Sequence, residues 1–264
     1  MSFVLTPSAA GPTIGSFEHI GVPHGVATRS GGVSAGCYAS LNLGPRSGDD
    51  LGAVKANRSR FRTALGVGPE VRSLAPRQVH SAEVAVHVRG DPDSSQGVYD
   101  GDGLVTDDPD VMLTVLAADC AAVLLHDPKR SVVAALHAGW RGTAGAIAVA
   151  GVRAMSAAFG CHPADIRAGI GPAICFCCYE VGTDVAGAVA RATPGTLPYE
   201  RRENGKAHLD ITTANVTQLT RAGLDPANIV SAGICTACRT DLFYSHRREG
   251  EPTGRFGAAI CMQT

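Results

Sequence analysis

The chain has no long apolar run, few aromatic residues and no excess of charge of either sign. No window reaches the roughly 18 consecutive apolar residues of a transmembrane helix. Aromatic residues make up only 5% of the 264 residues, and 23 Lys and Arg nearly balance 24 Asp and Glu. A surface for nucleic acid or an anionic membrane would need basic excess or stacking aromatics. We therefore expect neither nucleic acid nor a membrane as a partner.

The start of the sequence does not have the pattern that predicts a secretory leader. Residues 1–7 carry neither a basic segment nor the apolar core of a signal peptide. Nine cysteines, an odd number, predict thiols in a reducing compartment that are either free or bound to metal. We therefore expect a cytoplasmic protein.

Helical and strand-like segments are interspersed along residues 13–264, with several hairpins and no linker. This pattern predicts one α/β (α+β) domain built on mixed β-sheets. Residues 1–12, punctuated by Pro and Gly, predict a loose N-terminal segment. Helices are expected at 49–65, 141–159, 184–192 and 212–222, and a hairpin is expected over 200–211 around Asn204-Gly205.

Two apolar runs, 121–126 and 131–136, are joined by a turn that begins Asp127-Pro128. If Asp127 and Arg130 face each other across that turn, Cys120 lies directly opposite His137. Cross-strand neighbours have Cβ atoms about 4.5–5.5 Å apart, close enough for a thiolate and an imidazole to share one zinc ion. A one-residue shift would put the two side chains on opposite faces, leaving them as ordinary core residues.

A catalytic zinc usually has three protein ligands. Among the nine histidines, His80 is the best third ligand because it lies in a polar loop between two strands. Two Cys-x-x-Cys pairs, Cys175 with Cys178 and Cys235 with Cys238, offer a separate four-thiolate site. Their long separation in sequence is unusual for a zinc ribbon, and reduced, partly buried thiols are the alternative.

An anion site is expected directly after His137. The segment Gly139-Trp140-Arg141-Gly142 leads into an Ala-rich run, so Arg141 is expected at a helix N-terminus. Helix N-termini favour anions, and an arginine adds a fork that suits phosphate or carboxylate.

Together, these segments resemble the YfiH-type family, whose members carry laccase-domain, polyphenol oxidase or purine nucleoside phosphorylase names. The resemblance runs from Thr28 to Ile260. It rests on T-R-S-G-G-V-S, S-L-N-L-G, R-Q-V-H-S, D-G-L-V-T, A-D-C, H-A-G-W-R-G, G-I-G-P, C-C-Y-E-V-G, C-T, F-Y-S-H-R-R and T-G-R. It implies two sheets packed together between helices, and zinc ligands at His80, Cys120 and His137.

The resemblance also implies a zinc-dependent purine nucleoside enzyme, acting as a monomer or homodimer. Such an enzyme would cleave adenosine, inosine and methylthioadenosine with phosphate and would also deaminate adenosine. Zinc lowers the pKa of bound water to about 7, which suits deamination. Residues expected at the reaction are Cys120, His137, Arg141 and Asp102, and those expected to bind substrate or phosphate are Arg29, Asn42, Arg58, Gln78 and Arg247.

Two other classes of enzyme fit parts of the pattern. Copper also accepts Cys and His ligands, but a multicopper oxidase would need paired histidines and the chain has no His-x-His. A cysteine hydrolase would use Cys120 as nucleophile and His137 as base. A metalloprotein without catalytic activity is the remaining alternative.

Overall fold

The computed structural model describes residues 2–7, 11–90 and 99–262. Its strands are β1 Phe3–Thr6, β2 Ile14–Phe17, β3 His24–Ala27, β4 Arg72–Leu74, β5 Val84–His87, β6 Gly103–Thr106, β7 Val111–Ala117, β8 Ala121–Asp127, β9 Val132–Ala138, β10 Arg167–Ile170, β11 Glu180–Gly182, β12 Tyr199–Arg201, β13 Lys206–Leu209, β14 Ile229–Ser231 and β15 Phe256–Cys261. Its helices are α1 Leu51–Ala64, α2 Trp140–Ala144, α3 Ile147–Phe159, α4 Thr183–Arg191, α5 Ile211–Arg221 and α6 His246–Glu249, with short 3₁₀ turns at Gly36–Tyr38, Pro163–Asp165 and Pro226–Asn228.

Two six-stranded mixed sheets form the body of the domain. Their strand orders are β1-β2-β3-β15-β7-β4 and β14-β10-β8-β9-β6-β5, and β11-β13-β12 form a small third sheet. Side chains from both large sheets, such as Val115 and Leu124, share one buried cluster. The mixed α/β single-domain fold predicted from the sequence is therefore confirmed.

Helices cover the outer faces of this sandwich. Phe61 of α1 packs with Met112 and Ala259 on one side, while Val152 of α3 and Leu219 of α5 join Leu136 on the other. Strands β8 and β9 are buried along their whole length, as expected for strands covered on both faces. The two sheets thus pack together between helices, as the family resemblance implied.

The β8–β9 hairpin has a different register from the predicted one. Asp127 pairs with Val132 rather than Arg130, and His137 pairs with Ala122 rather than Cys120. The Asp127 carboxylate accepts the backbone amides of Lys129 and Arg130 at 2.8 and 3.1 Å, which opens the turn into a four-residue loop. Because the shift is two residues and the side-chain period is also two, Cys120 and His137 remain on the same face.

Two other sequence expectations differ from the structure in part. Within the segment expected to be loose, Phe3–Thr6 pairs with β2 and the Phe3 ring lies 4.9 Å from that of Phe17. The helix expected over 141–159 is broken into α2 and α3 by Ala146, whose φ is +62°. The helix α1, the helices α4 and α5, and the β12–β13 hairpin lie where they were expected.

Candidate metal centre and cavity

Three side chains from separate segments meet at one end of the two-sheet sandwich. His80 lies on the loop between β4 and β5, Cys120 on the short turn between β7 and β8, and His137 near the end of β9. One potential ligand atom of each lies within 4.8 Å of the others. The rings of His80 and His137 are nearly perpendicular, with centroids 5.0 Å apart. The structure therefore brings together the three residues expected to bind metal.

Backbone conformations with positive φ present two of these side chains. His80 has a φ of +60°, and Asp119, directly before Cys120, has a φ of +88°. Non-glycine residues in this region are uncommon and tend to occur where the surrounding structure holds a functional group in place. The Gln78 side chain supplies part of that support, because its amide exchanges two 2.8 Å hydrogen bonds with the backbone of Leu116.

The Asp102 carboxylate fixes the orientation of the His137 ring. Nδ1 of His137 lies 2.8 Å from one oxygen of Asp102, and the other oxygen accepts the backbone amide and hydroxyl of Ser81 at 2.6 and 2.9 Å. Burial would raise the pKa of Asp102, but hydrogen bonds from His137 and Ser81 lower that pKa to about 2. Because Nδ1 is engaged, Nε2 of His137 is the nitrogen free to bind a metal.

Charge coupling makes Cys120 a thiolate. Burial would raise the pKa of Cys120, but His137 and His80 outweigh burial and lower that pKa to about 6. Burial would likewise lower the pKa of His137, yet the Cys120 thiolate and Asp102 raise it to about 9. The thiolate is the form of cysteine that binds metals and attacks electrophiles.

The residues present fit a metal ion. One thiolate and two imidazoles form a three-ligand set typical of catalytic zinc, and such a set also accepts copper. The carboxylate behind His137 is the usual partner of a metal-bound histidine. Gly139 leaves the space open, since a Cβ there would lie 2.9 Å from the Cys120 sulfur and 3.4 Å from the His80 ring.

His80, Cys120 and His137 lie on the wall of a cavity of about 640 Å³, a size typical of small-molecule sites. Five arginines line it and outnumber the two lining carboxylates, Asp119 and Glu251. The arginines are Arg46, Arg58, Arg77, Arg247 and Arg255. The cavity therefore combines candidate metal ligands with positive charge, which suits an anionic substrate or co-substrate.

Three of the residues expected to bind substrate or phosphate line this cavity. They are Arg58, Gln78 and Arg247. The Arg58 Nε atom donates to the carbonyl of Leu43 at 2.9 Å, and among the described residues its terminal nitrogens have no hydrogen-bond partner. Arg247 donates to the carbonyl of Glu180 at 2.8 Å and lies over the Tyr179 ring. The Gln78 amide is hydrogen-bonded to the backbone of Leu116 in β7, as described above.

Arg29 and Asn42 lie outside the cavity lining. The guanidinium of Arg29 forms an ion pair with Glu249 at 2.7 Å and stacks over Tyr244. The Asn42 side chain is fully buried, and its oxygen accepts the backbone amides of Gly44 and Arg255 at 3.0 and 2.8 Å. Both residues hold neighbouring loops together.

Arg141 and Asp102 are also absent from the lining. Arg141 is exposed, and its guanidinium stacks 4.3 Å over the ring of Trp140. Arg141 is the second residue of α2, which is only five residues long, so the long helix expected to start at this point does not form. Asp102 lies behind His137 and acts on the site through that ring.

Sequence reasoning did not assign roles to Tyr179 and Asp119, which both line the cavity. Tyr179 is the aromatic lining residue, and its only sequence signal was its place in the motif C-C-Y-E. The Asp119 carboxylate accepts the Thr236 hydroxyl at 2.6 Å and the Arg247 amide at 2.7 Å.

Comparisons with known proteins give similarity along almost the whole chain. The family model described as multi-copper polyphenol oxidoreductase laccase matches residues 23–263, which include His80, Cys120 and His137. A purine nucleoside phosphorylase from Deinococcus radiodurans is 42% identical over 243 residues, covering 92% of this chain and 90% of that protein. Adenosine deaminase RL5, from an unknown prokaryotic organism, is 38% identical over 226 residues, covering 83% and 85%.

A solved structure gives the same result for the fold. The crystal structure of YlmD from Geobacillus stearothermophilus has a TM-score of 0.90 and 36% identity to this chain, with coverage of 99% of this chain and 100% of that one. The similarity therefore extends from the sequence to the whole arrangement of strands and helices.

Proposed function

This chain belongs to the multi-copper polyphenol oxidoreductase laccase family, and we propose that it acts as a zinc-dependent purine nucleoside enzyme. The proposed reactions are phosphorolysis of adenosine, inosine and S-methyl-5′-thioadenosine, giving the free base and the (methylthio)ribose 1-phosphate, and deamination of adenosine. The observation that carries the proposal is the triad of His80, Cys120 and His137 on the wall of an arginine-lined cavity. The relatives named purine nucleoside phosphorylase and adenosine deaminase support the substrate class.

The triad would hold zinc through the Cys120 sulfur and one nitrogen of each imidazole. When bound, zinc supplies Lewis acidity that brings the pKa of water close to 7. Asp102 keeps His137 in the tautomer that offers Nε2 to the metal. Gly139 keeps the space beside the sulfur clear.

Phosphate would bind among the lining arginines. Arg58 is the strongest candidate, since its terminal nitrogens face no partner among the described residues, whereas Arg77 is paired with Asp100 and Arg255 with Glu251. The charge of Arg247 supports the same role, although its side chain is anchored to the carbonyl of Glu180. A guanidinium group can donate two parallel hydrogen bonds to two oxygens of one phosphate.

The apolar part of the lining suits the nucleoside. Tyr179 offers an aromatic ring against which a purine can stack. Leu116, Ile174 and Ile211 add aliphatic surface, which would let one cavity accept either a hydroxyl or a methylthio group on the ribose. The half-buried Tyr179 stays neutral because burial raises its pKa.

A cysteine hydrolase is the alternative that one observation favours, because Cys120 and His137 form a thiolate–imidazolium pair. Metal dependence separates the two functions. Zinc ligation makes a thiolate a poor nucleophile, so the hydrolase would be inhibited by zinc and restored by chelation, whereas the proposed nucleoside enzyme would lose activity on chelation.

The experiment that tests the proposal is a panel of nucleosides assayed with and without phosphate. Protein should be compared as purified, after chelation, and after reloading with zinc or copper. Phosphate-dependent release of free base that is lost on chelation and restored by zinc would support the proposal. Base release that survives in Cys120→Ala and His137→Ala would overturn it.

The cellular setting remains part of the proposal. None of the nine cysteines forms a disulfide in the structure, and we propose the reducing cytoplasm as the location. No helix among the described residues has the length and apolar character needed to cross a bilayer. The choice between monomer and homodimer stays a prediction.

A further inference from the structure

Four cysteine sulfurs meet at a second place, away from the His80–Cys120–His137 triad. Cys177 and Cys178 come from the segment after β10, and Cys235 and Cys238 from the segment after β14. Their sulfurs all lie within 4.8 Å of one another. These are not the four cysteines that the two Cys-x-x-Cys pairs would suggest, because Cys177 takes the place of Cys175.

Strand pairing explains how cysteines so far apart in sequence come together. Strands β10 and β14 are parallel neighbours, and the pairing continues beyond their ends as a parallel bridge between Ala173 and Cys235. The two segments that follow therefore leave the sheet side by side. The large separation in sequence is unusual for a zinc ribbon. It does not argue against a metal site here, because the sheet itself aligns the two segments.

The three shortest-range sulfur contacts in this group, those among Cys177, Cys178 and Cys238, match a single tetrahedral ion. Cys177 lies 3.7 Å from Cys178 and 3.7 Å from Cys238, and Cys178 lies 3.4 Å from Cys238, all between sulfurs. Four thiolates at zinc–sulfur bonds of about 2.3 Å have their sulfurs about 3.75 Å apart. An iron–sulfur cluster would need wider spacing, because bridging sulfides separate its cysteines.

A backbone amide also points at one of these sulfurs. The amide of Cys175 donates to the sulfur of Cys235 at 3.3 Å. Such N–H donors stabilise thiolate charge, as the surroundings of a metal-bound thiolate do.

We propose that Cys177, Cys178, Cys235 and Cys238 bind a structural zinc ion, distinct from any ion in the His80–Cys120–His137 triad. The four thiolates would close its coordination sphere, which leaves no position for substrate and gives the ion a structural role. Binding displaces the remaining thiol protons and involves no change in oxidation state. This proposal does not depend on the nucleoside activity.

An ion bound by these cysteines would stabilise contacts to Asp119, the residue before Cys120. Ile174, which lines the cavity, donates its amide to the carbonyl of Asp119 at 2.8 Å. The hydroxyl of Thr236 donates to the Asp119 carboxylate at 2.6 Å. The two cysteine segments thus hold the residue that precedes Cys120. An ion that ties them together closes a long loop and fixes that contact.

The test measures metal content in a Cys120→Ala background, which removes the sulfur of the triad. Full-length protein should be produced under reducing conditions without added metal and analysed for elements. We expect one zinc per chain in Cys120→Ala and none after Cys177→Ser and Cys238→Ser are added. Cys175→Ser is the matched control, since its sulfur lies outside the group, and it should keep the ion.

Two further measurements test the proposal even if the variant with several substitutions fails to fold. Cobalt added to metal-stripped Cys120→Ala should give the thiolate-to-cobalt charge transfer and strong visible absorption of a tetrahedral four-sulfur site. Alkylation followed by peptide mass spectrometry should find the exposed Cys177 and Cys238 shielded until a chelator is added. No metal in Cys120→Ala, a disulfide between Cys178 and Cys238, or iron in place of zinc would each overturn the assignment.

Discussion

Nδ1 of His137 lies 2.8 Å from a carboxylate oxygen of Asp102, and this contact ties the proposed metal ligand to a fully buried anion. The same aspartate accepts bonds from Val79 and Ser81 on the loop that carries His80. One carboxylate therefore aligns two of the three proposed ligands, although it lies outside the cavity.

The first prediction concerns this carboxylate. Asp102→Asn should lower the zinc affinity of the triad by about 10- to 100-fold, the usual effect of removing the partner of a metal-bound histidine. Competition with a chromogenic chelator would measure the affinity. Asp165→Asn, which alters a surface ion pair with Lys129, is the control. Unchanged affinity in Asp102→Asn would show that the carboxylate only supports the fold.

The second prediction tests the space beside Cys120. A Cβ at Gly139 would lie 2.9 Å from the Cys120 sulfur, so Gly139→Ala must displace the sulfur or the backbone. We expect loss of triad zinc and a destabilisation of about 1–3 kcal/mol, the range for overpacking. Elemental analysis and chemical denaturation would measure these effects.

The matched control for that variant is Gly187→Ala in α4. The nearest atom to a Cβ there is the end of the Arg191 side chain at 3.6 Å, and alanine favours helix. This variant should keep its metal and its stability. If Gly139→Ala also kept full zinc with unchanged stability, the inferred crowding around the sulfur would be incorrect.

The third prediction concerns the charge of Cys120 in metal-free protein. Its pKa is lowered to about 6, against about 8.5 for an ordinary cysteine. The thiolate therefore predominates above pH 6 and is lost as the pH falls through that value. The rate of Cys120 alkylation, followed by peptide mass spectrometry, should rise with a midpoint near pH 6. A midpoint near 8.5 would contradict coupling to His137.

Much of the fold could be predicted because its signals are local. Asp50 accepts the amide of Ala53 and begins α1, and the two apolar runs around Asp127-Pro128 form β8 and β9. The hairpin register could not be predicted, because Asp127 binds two turn amides and enlarges the loop. The prediction that Cys120 and His137 share a face survived because the error was two residues.

The parts of the candidate site that depend on contacts between residues distant in sequence could not be predicted from the sequence. His80 reaches the triad because Gln78 clamps its loop to β7, a contact that no local pattern encodes. Arg141 was expected at an anion site, but Trp140 holds its guanidinium on the exposed surface. The meeting of Cys177 with Cys238 depends on the parallel pairing of β10 and β14.

The fourth prediction addresses the oxidase activity that the family description suggests. Copper loading of the triad should give phenol oxidation much slower than nucleoside turnover. The described residues offer one group of three His and Cys ligands and one of four cysteines, and neither provides the paired histidines of a multicopper centre. Oxygen uptake with phenols would measure the rate. Rapid uptake that depends on His137 would instead favour the laccase-like function.

The fifth prediction separates phosphorolysis from deamination. Phosphorolysis must hold an anionic co-substrate, whereas deamination needs only water and the nucleoside. Hydrogen bonds to charged groups contribute about 1.5–3 kcal/mol, so Arg58→Ala should raise the phosphate KM by about 10- to 150-fold while deamination changes little. Both rates should be measured on one preparation with phosphate varied.

Arg141→Ala provides the comparison that decides where the anion site lies. The sequence placed the phosphate at Arg141, but that side chain stacks on Trp140 and does not line the cavity, so its removal should change the phosphate KM by less than about threefold, within the small effects of surface substitutions. A large increase in Arg141→Ala with none in Arg58→Ala would return the anion site to the helix after His137. Equal losses of both activities in Arg58→Ala, with a lower melting temperature, would show that Arg58 supports the fold through its bond to Leu43 rather than phosphate.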